Sequence, residues 1–162
     1  MIAPALASDS MSISKTEFAR RRKNLMALMA PNSIAIIPSA REQVRSRDTG
    51  YPFRQDSDFY YLSGFTEPDA VLVLLPGRRH GQFILFCRER DSHKERWDGL
   101  RSGTDGAVAD FSADDAFPIS DTDDILPCVM EYRISVYYTM GAHAEFDTQV
   151  AEWVKSLLLK GS

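Results

Sequence analysis

Three short and almost wholly apolar runs constrain the fold of this chain more than any other feature of its sequence. They read SIAII at 33–37, AVLVLL at 70–75 and QFILFC at 82–87. A run of this length without polar alternation is typical of a strand that is covered on both faces. A Pro-Gly turn follows the second run, which predicts that the second and third runs pair as a hairpin. A sheet with two covered faces needs helices on both sides.

Helical signals are found before and between these runs. Ser14 and Glu17 have the S-x-x-E spacing of a capping box, which predicts a helix that begins at Ser14. A short helix is expected at 56–64, where a glycine provides the stop. Ser92 and Glu95 form a second possible capping box and predict another short helix.

The last helix has the clearest pattern. Its apolar residues recur at helical spacing and form one stripe, which consists of Phe146, Val150, Trp153, Val154, Leu157 and Leu158. A further strand is expected at 134–138. Helices and strands therefore alternate around one hairpin, and this order predicts an α/β fold with a mixed β-sheet flanked by helices.

Composition limits the classes of partner. The chain has 162 residues, 44% of them hydrophobic, which suits one domain with one substantial core. A formal net charge of −4 disfavours nucleic acid as a partner, because phosphate binding needs a dense basic face. The one basic cluster, at 20–23, is interpreted as a solvated helix face. No apolar run approaches the roughly 20 residues that cross a bilayer, so no membrane partner is expected.

The cysteines and the start of the chain bear on its compartment. Cys87 and Cys128 lie in apolar runs without a C-x-x-C spacing, so both are interpreted as buried, reduced thiols. Residues 1–13 are expected to be a flexible leader without the features of a signal peptide, followed by one domain over 14–162. Together these features predict a cytoplasmic protein.

No self-contained active site is visible in the sequence. His80, His93 and His143 have no second ligand at a metal-binding spacing, and no nucleophile elbow or phosphate loop occurs. The stretch at 100–124 contains seven aspartates but lacks the spacing of a calcium loop, so they are interpreted as caps and solvated loops. No catalytic residue and no metal ligand is predicted.

The segment at 51–65, YPFRQDSDFYYLSGF, has an unusual composition. Six of its fifteen residues are aromatic, with one arginine and two aspartates among them. It suits an aromatic core with an internal Arg–Asp pair. It equally suits an aromatic and charged wall that packs on another domain or subunit. Composition alone leaves both interpretations open.

This segment, followed by Glu67-Pro68 and the run at 70–75, closely resembles the hallmark of the aminopeptidase P N-terminal domain, of the creatinase and prolidase superfamily. The opening helix with Glu17-Phe18, the run at 82–87 and the Glu95-Arg96-Trp97 stretch are similar to the family in order and spacing. The resemblance implies a sheet-and-helix domain with a ribonuclease H-like motif. It also implies a parent enzyme that removes an N-terminal residue preceding proline.

The resemblance further implies which domain of the parent protein carries out catalysis. Family members hold two divalent metal ions, usually manganese, in a C-terminal pita-bread domain, which is expected to be absent from this chain. The chain alone would then be inactive, with no cofactor of its own. Its expected partners are its own C-terminal domain, neighbouring subunits of a homo-oligomer, and peptides with proline at the second position.

Individual residues take roles from the same resemblance. Trp97 matches a tryptophan that reaches across a subunit interface to the substrate pocket, and Asp48 matches an acidic position near that wall. The residues Tyr51, Phe53, Arg54, Asp58 and Phe65 match the family motif at the interface. Trp97 stands beside Arg96, Asp98 and Gly99, a context that favours exposure. Asp48 equally suits a turn.

Two alternatives keep the same architecture. One is the N-terminal domain of a prolidase-type or creatinase-type hydrolase. The other is the N-terminal domain of a pita-bread protein that has lost its metal ligands and serves as a binding module.

Overall fold

A computed structural model describes residues 12–41 and 53–160 of the chain. The strands in these residues are β1 (Ser33–Pro38), β2 (Val71–Leu74), β3 (Phe83–Cys87), β4 (Asp115–Pro118) and β5 (Ser135–Tyr137). The helices are α1 (Lys15–Leu28), α2 (Ser57–Ser63), α3 (Ser92–Asp98), α4 (Gly103–Phe111), α5 (Thr122–Met130) and α6 (Ala144–Lys160). A 3₁₀ turn, Ile119–Asp121, joins β4 to α5. The predicted strands and helices are present, and further elements lie between the predicted helix at 92–98 and the predicted strand at 134–138.

The five strands form one mixed sheet in the order β4-β3-β2-β1-β5. The three apolar runs are its centre: β2 lies antiparallel to both β1 and β3. The two outer strands each add in parallel, β5 on β1 and β4 on β3. Outer strands see more solvent, which is why their sequences are less apolar than the central runs. The predicted hairpin and the predicted mixed sheet are confirmed.

Helices cover both faces of the sheet and give it two apolar layers. One layer packs Ile36, Val73 and Phe86 of the sheet against α5 and α6, which contribute Leu126 and Trp153. The other layer packs alternate residues of the same strands against α2 and α4, with α1 at its border. Because successive side chains of a strand point to opposite faces, a strand with both faces covered must be apolar throughout.

Three elements lie where the sequence indicated only loops. The stretch at 100–124 contains α4, β4 and the start of α5. The two glycines of α4 and the proline inside α5 lower helix propensity, and β4 reads only DAFP. Tertiary packing compensates, since Ala107 of α4 is fully buried against the sheet. The interpretation of the aspartates as caps was wrong for Asp114, whose carboxylate accepts the amides of Gln82 and Phe83 at the start of β3. Asp121 stands at the N-cap position of α5 but makes no side-chain cap hydrogen bond.

The basic cluster at 20–23 is only partly a solvated face. Arg22 is buried, with its guanidinium 4.1 Å from the ring centroid of Phe83 and an Nη1 donor on the Leu62 carbonyl at 2.9 Å. The helix face that carries Phe18 toward the core also carries position 22, four residues later, and a guanidinium can be buried when it is stacked and hydrogen-bonded. The prediction of a solvated arginine was wrong at this position.

The two cysteines differ from each other. Cys87 is buried in β3 as predicted, and burial raises the pKa of its thiol to about 12. Cys128 is exposed, so the prediction of a buried thiol was wrong there. Position 128 follows Pro127 on the outer side of α5, whose buried residues are Thr122, Leu126 and Met130.

Candidate interaction site

The aromatic segment divides into a buried half and an exposed half. Phe59 and Phe65 are fully buried and pack edge to face at 6.3 Å, and Phe65 meets Phe111 of α4 at 4.9 Å. Tyr60 and Tyr61, on the other side of the short helix α2, remain exposed. The buried face of α2 agrees with the interpretation as an aromatic core, and the exposed face leaves the interpretation as a contact wall a prediction.

The predicted site residues of this segment have different environments. Phe53, Arg54 and Asp58 are exposed, as a contact surface requires. Phe65 belongs to the aromatic core, so the interface role does not apply to its side chain. Asp48 and Tyr51 lie outside the described residues. Among the described residues, no ion pair joins Arg54 to Asp56 or Asp58, so the expected internal Arg–Asp pair is not found.

Local contacts fix where α2 begins and ends. The Asp56 carboxylate accepts the amide of Phe59 at 2.9 Å and caps the first turn. Gly64 ends the helix with φ 72°, where a Cβ would lie 2.5 Å from the Phe18 ring, so glycine is required there by both conformation and space. Arg21 of α1 lies over the Tyr61 ring at 4.3 Å and donates to the Tyr61 carbonyl.

Gln55 connects this segment to the rest of the domain. Its Oε1 accepts the amides of Ala40 and Asp56, at 2.9 and 3.0 Å. Its Nε2 donates to the carbonyls of Phe65 and Glu67, at 3.2 and 2.8 Å. One side chain thus joins the chain just after β1 to the start of α2 and to the loop that follows α2. Sequence reasoning missed this role, because nothing in residue type or spacing distinguishes a glutamine with four partners from one in water.

Trp97 is the most exposed large aromatic residue on a helix of the described chain, at 83% of its surface. It lies on α3, and Leu100 just beyond that helix is equally exposed. The exposure expected from its charged neighbours is confirmed. The start of α3 differs from prediction: Asp91 caps the helix by accepting the amides of His93 and Lys94, in place of Ser92. The Glu95 side chain turns instead to the amide of Arg101, at 2.7 Å.

A polar cluster lies next to α3 and the turn that follows it, a region that we call the Trp97 corner. The Glu67 carboxylate accepts a hydrogen bond from Nη2 of Arg88 at 3.3 Å and another from the amide of Ser102 at 2.8 Å. Glu95 accepts Nε of Arg90 at 3.2 Å as well as the Arg101 amide. Since Gln55 binds the carbonyl of Glu67, hydrogen bonds connect the aromatic segment to the corner that carries Trp97. Both glutamates stand in the family-like stretches of the sequence, but their partners could not be read from it.

A groove of about 610 Å³ opens between α1, α2 and the edge of the sheet. Its apolar lining includes Leu25, Met29 and Ile37, and Tyr61 and Tyr137 also line it. Asp58, a predicted motif residue, is among the lining residues, so this part of the motif borders a concave surface.

The described residues contain no cluster of metal ligands. Within 12–41 and 53–160, no group of three or more His, Cys, Asp or Glu side chains could hold a metal ion. The buried Cys87 thiol, with its raised pKa, is unsuited to act as a nucleophile. The same two ranges contain no helix that combines the length and apolar character needed to cross a bilayer. What the surface offers is aromatic and charged contact area.

The chain matches the family described as "Aminopeptidase P, N-terminal domain" over residues 18–137. It is 41% identical over 151 residues to the Xaa-Pro aminopeptidase of Escherichia coli, covering 93% of this chain and 34% of that relative. Among solved structures, Pseudomonas aeruginosa aminopeptidase PepP superposes with a TM-score of 0.88 at 56% identity, covering 93% of this chain and 34% of that one. Zn-substituted E. coli aminopeptidase P in complex with product gives 0.84 at 39% identity, covering 90% and 33%. The chain thus spans about a third of the length of the relatives it matches.

Proposed function

This chain belongs to the aminopeptidase P N-terminal domain family, and we propose that it serves a Xaa-Pro aminopeptidase as its non-catalytic N-terminal domain. Such an enzyme removes an N-terminal residue that precedes proline. The observation that carries the proposal is the agreement of family, sequence and fold with aminopeptidase P over nearly the whole described chain.

The catalytic metal ions of this proposal are two divalent ions, with manganese the expected metal, in a C-terminal pita-bread domain. The described residues of this chain do not fit a metal site, since no cluster of ligands occurs among them. When bound, such ions would supply an activated water for attack on the scissile carbonyl. The part of this chain would be to wall the pocket and to hold neighbouring subunits, in a cytoplasmic homo-oligomer.

Trp97 is the residue we assign to that wall, with Asp48 near it. The exposed indole on α3 offers a flat apolar face to which a proline ring can pack, as aromatic side chains do in other proline-binding sites. The exposed residues Phe53, Arg54 and Asp58 would face a domain or subunit rather than the substrate. The likeness of sequence and fold supports these assignments.

Hydrolysis of a short Xaa-Pro peptide with added manganese tests the proposal. The 162-residue chain is compared with a longer form that includes the expected C-terminal domain. Activity in the longer form alone is the expected result. Activity in the shorter chain would reveal an active site within it. No activity in either form would contradict the aminopeptidase assignment and favour another substrate or a binding module.

A further inference from the structure

The helix that carries Trp97 is not held by apolar packing. α3 has seven residues, and none of them is buried as a whole. Both large apolar side chains at this corner, Trp97 and Leu100, point into solvent. A seven-residue helix has no appreciable stability by itself. Polar contacts must therefore determine its position.

Glu95 makes the first of these contacts. Its side chain is only 6% exposed, although it belongs to an otherwise exposed helix. Oε1 accepts the amide of Arg101 at 2.7 Å, so it connects α3 to the chain beyond the turn. This bond, more than any other, lowers the pKa of the Glu95 carboxyl, because a hydrogen bond to a carboxylate favours its charged form.

Glu67 makes the second contact from the opposite side. It belongs to the loop between α2 and β2, and its side chain is 13% exposed. Oε2 accepts the amide of Ser102 at 2.8 Å, next along the chain from the amide that Glu95 takes. Gln55 holds the main chain of Glu67 in place. Two carboxylates from separate elements thus accept two consecutive amides of the same turn.

The charges around the turn make this arrangement sensitive to loss of either carboxylate. Arg88 and Arg101 have buried Nε–H groups without an acceptor among the described residues. Arg88 pairs with Glu67, and Arg101 donates to the Glu89 carbonyl at 3.3 Å and lies 3.8 Å from Asp98. Removing Glu67 would leave the buried Arg88 guanidinium with less compensation, which is costly. Removing Glu95 would leave the Arg101 amide without its acceptor.

We infer that Glu95 and Glu67 are positioning residues for Trp97: together they clamp the turn at 99–102 and set the direction in which the indole projects. The consequence of the clamp for peptide binding rests on the proposed function, because Trp97 contacts a peptide only in that function. The clamp itself is a property of this chain and can be tested without any activity.

Amide hydrogen exchange and fluorine NMR on the 162-residue chain test the clamp. The two tryptophans, replaced by 5-fluorotryptophan, give two resonances, of which buried Trp153 reports the global fold. In E95A the Arg101 amide should exchange at least tenfold faster, and in E67A the Ser102 amide should do so. In both variants the Trp97 resonance should shift and narrow while the Trp153 resonance stays in place.

Two further variants separate positioning from general damage. E95Q keeps an oxygen acceptor, so the Arg101 amide should remain more protected than in E95A. E89Q changes a neighbouring residue that enters the cluster through its carbonyl oxygen, and it should leave both amides and both resonances unchanged. Unaltered exchange of both amides in E95A and E67A would overturn the inference. So would a Trp97 resonance that stays in place in both.

Kinetics in the longer form then connect the clamp to function. If Trp97 meets the substrate, E95A should raise KM several-fold with a small change in kcat, and W97A combined with E95A should be no worse than W97A alone. Additive losses in the double variant would contradict positioning through Trp97. An inactive longer form would count against the proposed function alone, because the exchange measurements do not depend on activity.

Discussion

The two tryptophans of this chain occupy opposite environments. Trp153 is 4% exposed, donates its Nε1–H to Asp123 at 2.9 Å and packs edge to face on Phe146 at 5.7 Å. Trp97 projects into solvent from a helix without a buried residue. The long helix α6 is held by an apolar stripe, whereas α3 is held by carboxylates that bind main-chain amides. Trp153 is therefore part of the core that stabilises the fold, whereas Trp97 is held at the surface of the fold.

Replacing each tryptophan with alanine should give the largest difference between the two regions. W153A removes a buried aromatic ring and should lower the free energy of unfolding by about 3–5 kcal/mol. W97A removes an exposed ring and should change it by no more than about 0.5 kcal/mol. Urea unfolding followed by circular dichroism measures both, with W153F as a milder control. Equal losses in the two alanine variants would break the comparison.

Arg22 and Lys23 provide the same contrast within one basic cluster. R22M removes a buried guanidinium that stacks on Phe83 and donates to the Leu62 carbonyl, so the free energy of unfolding should fall by about 2 kcal/mol. K23M, at the exposed neighbouring position, is the matched control and should be nearly neutral. If both variants unfold at the same urea concentration as the parent chain, position 22 is a solvated surface after all.

A smaller effect on the free energy of unfolding is expected when the surface residue Glu17 is replaced. Hydrogen bonds from Arg20 and Arg21 lower the pKa of its carboxyl to about 2. A carboxyl with a depressed pKa stabilises the fold above its unfolded pKa of about 4.3, and this contribution is lost as pH falls toward 2. E17Q should therefore flatten part of the decline in stability between about pH 5 and 2. An unchanged pH profile in E17Q would show that the arginines contribute nothing through this residue.

The difference between α6 and α3 also explains what the sequence could predict. Apolar periodicity predicted the central strands and α6, because burial of apolar side chains determines those elements. It missed α4, β4 and the start of α5, where glycine, proline and aspartate outweigh the few apolar residues that pack. Local capping was predicted at Ser14, which does accept the amide of Glu17.

The polar parts of the candidate site were harder to predict. Glu95 was expected to complete a capping box, yet it accepts the amide of Arg101 across the turn. Glu67 and Gln55 reach partners in other elements, and a carboxylate or an amide can choose among many main-chain groups once the fold is formed. Residue spacing carries no information about such long-range choices. The exposure of Trp97 was predictable because its own neighbours are polar.

The kinetics of W97A in the longer form, measured together with its stability, test the role of Trp97 most directly. If the indole binds the peptide, kcat/KM for a Xaa-Pro peptide should fall about tenfold, the equivalent of about 1.4 kcal/mol, with metal content and unfolding free energy unchanged. A variant with wild-type kinetics would contradict the role of Trp97 in peptide binding.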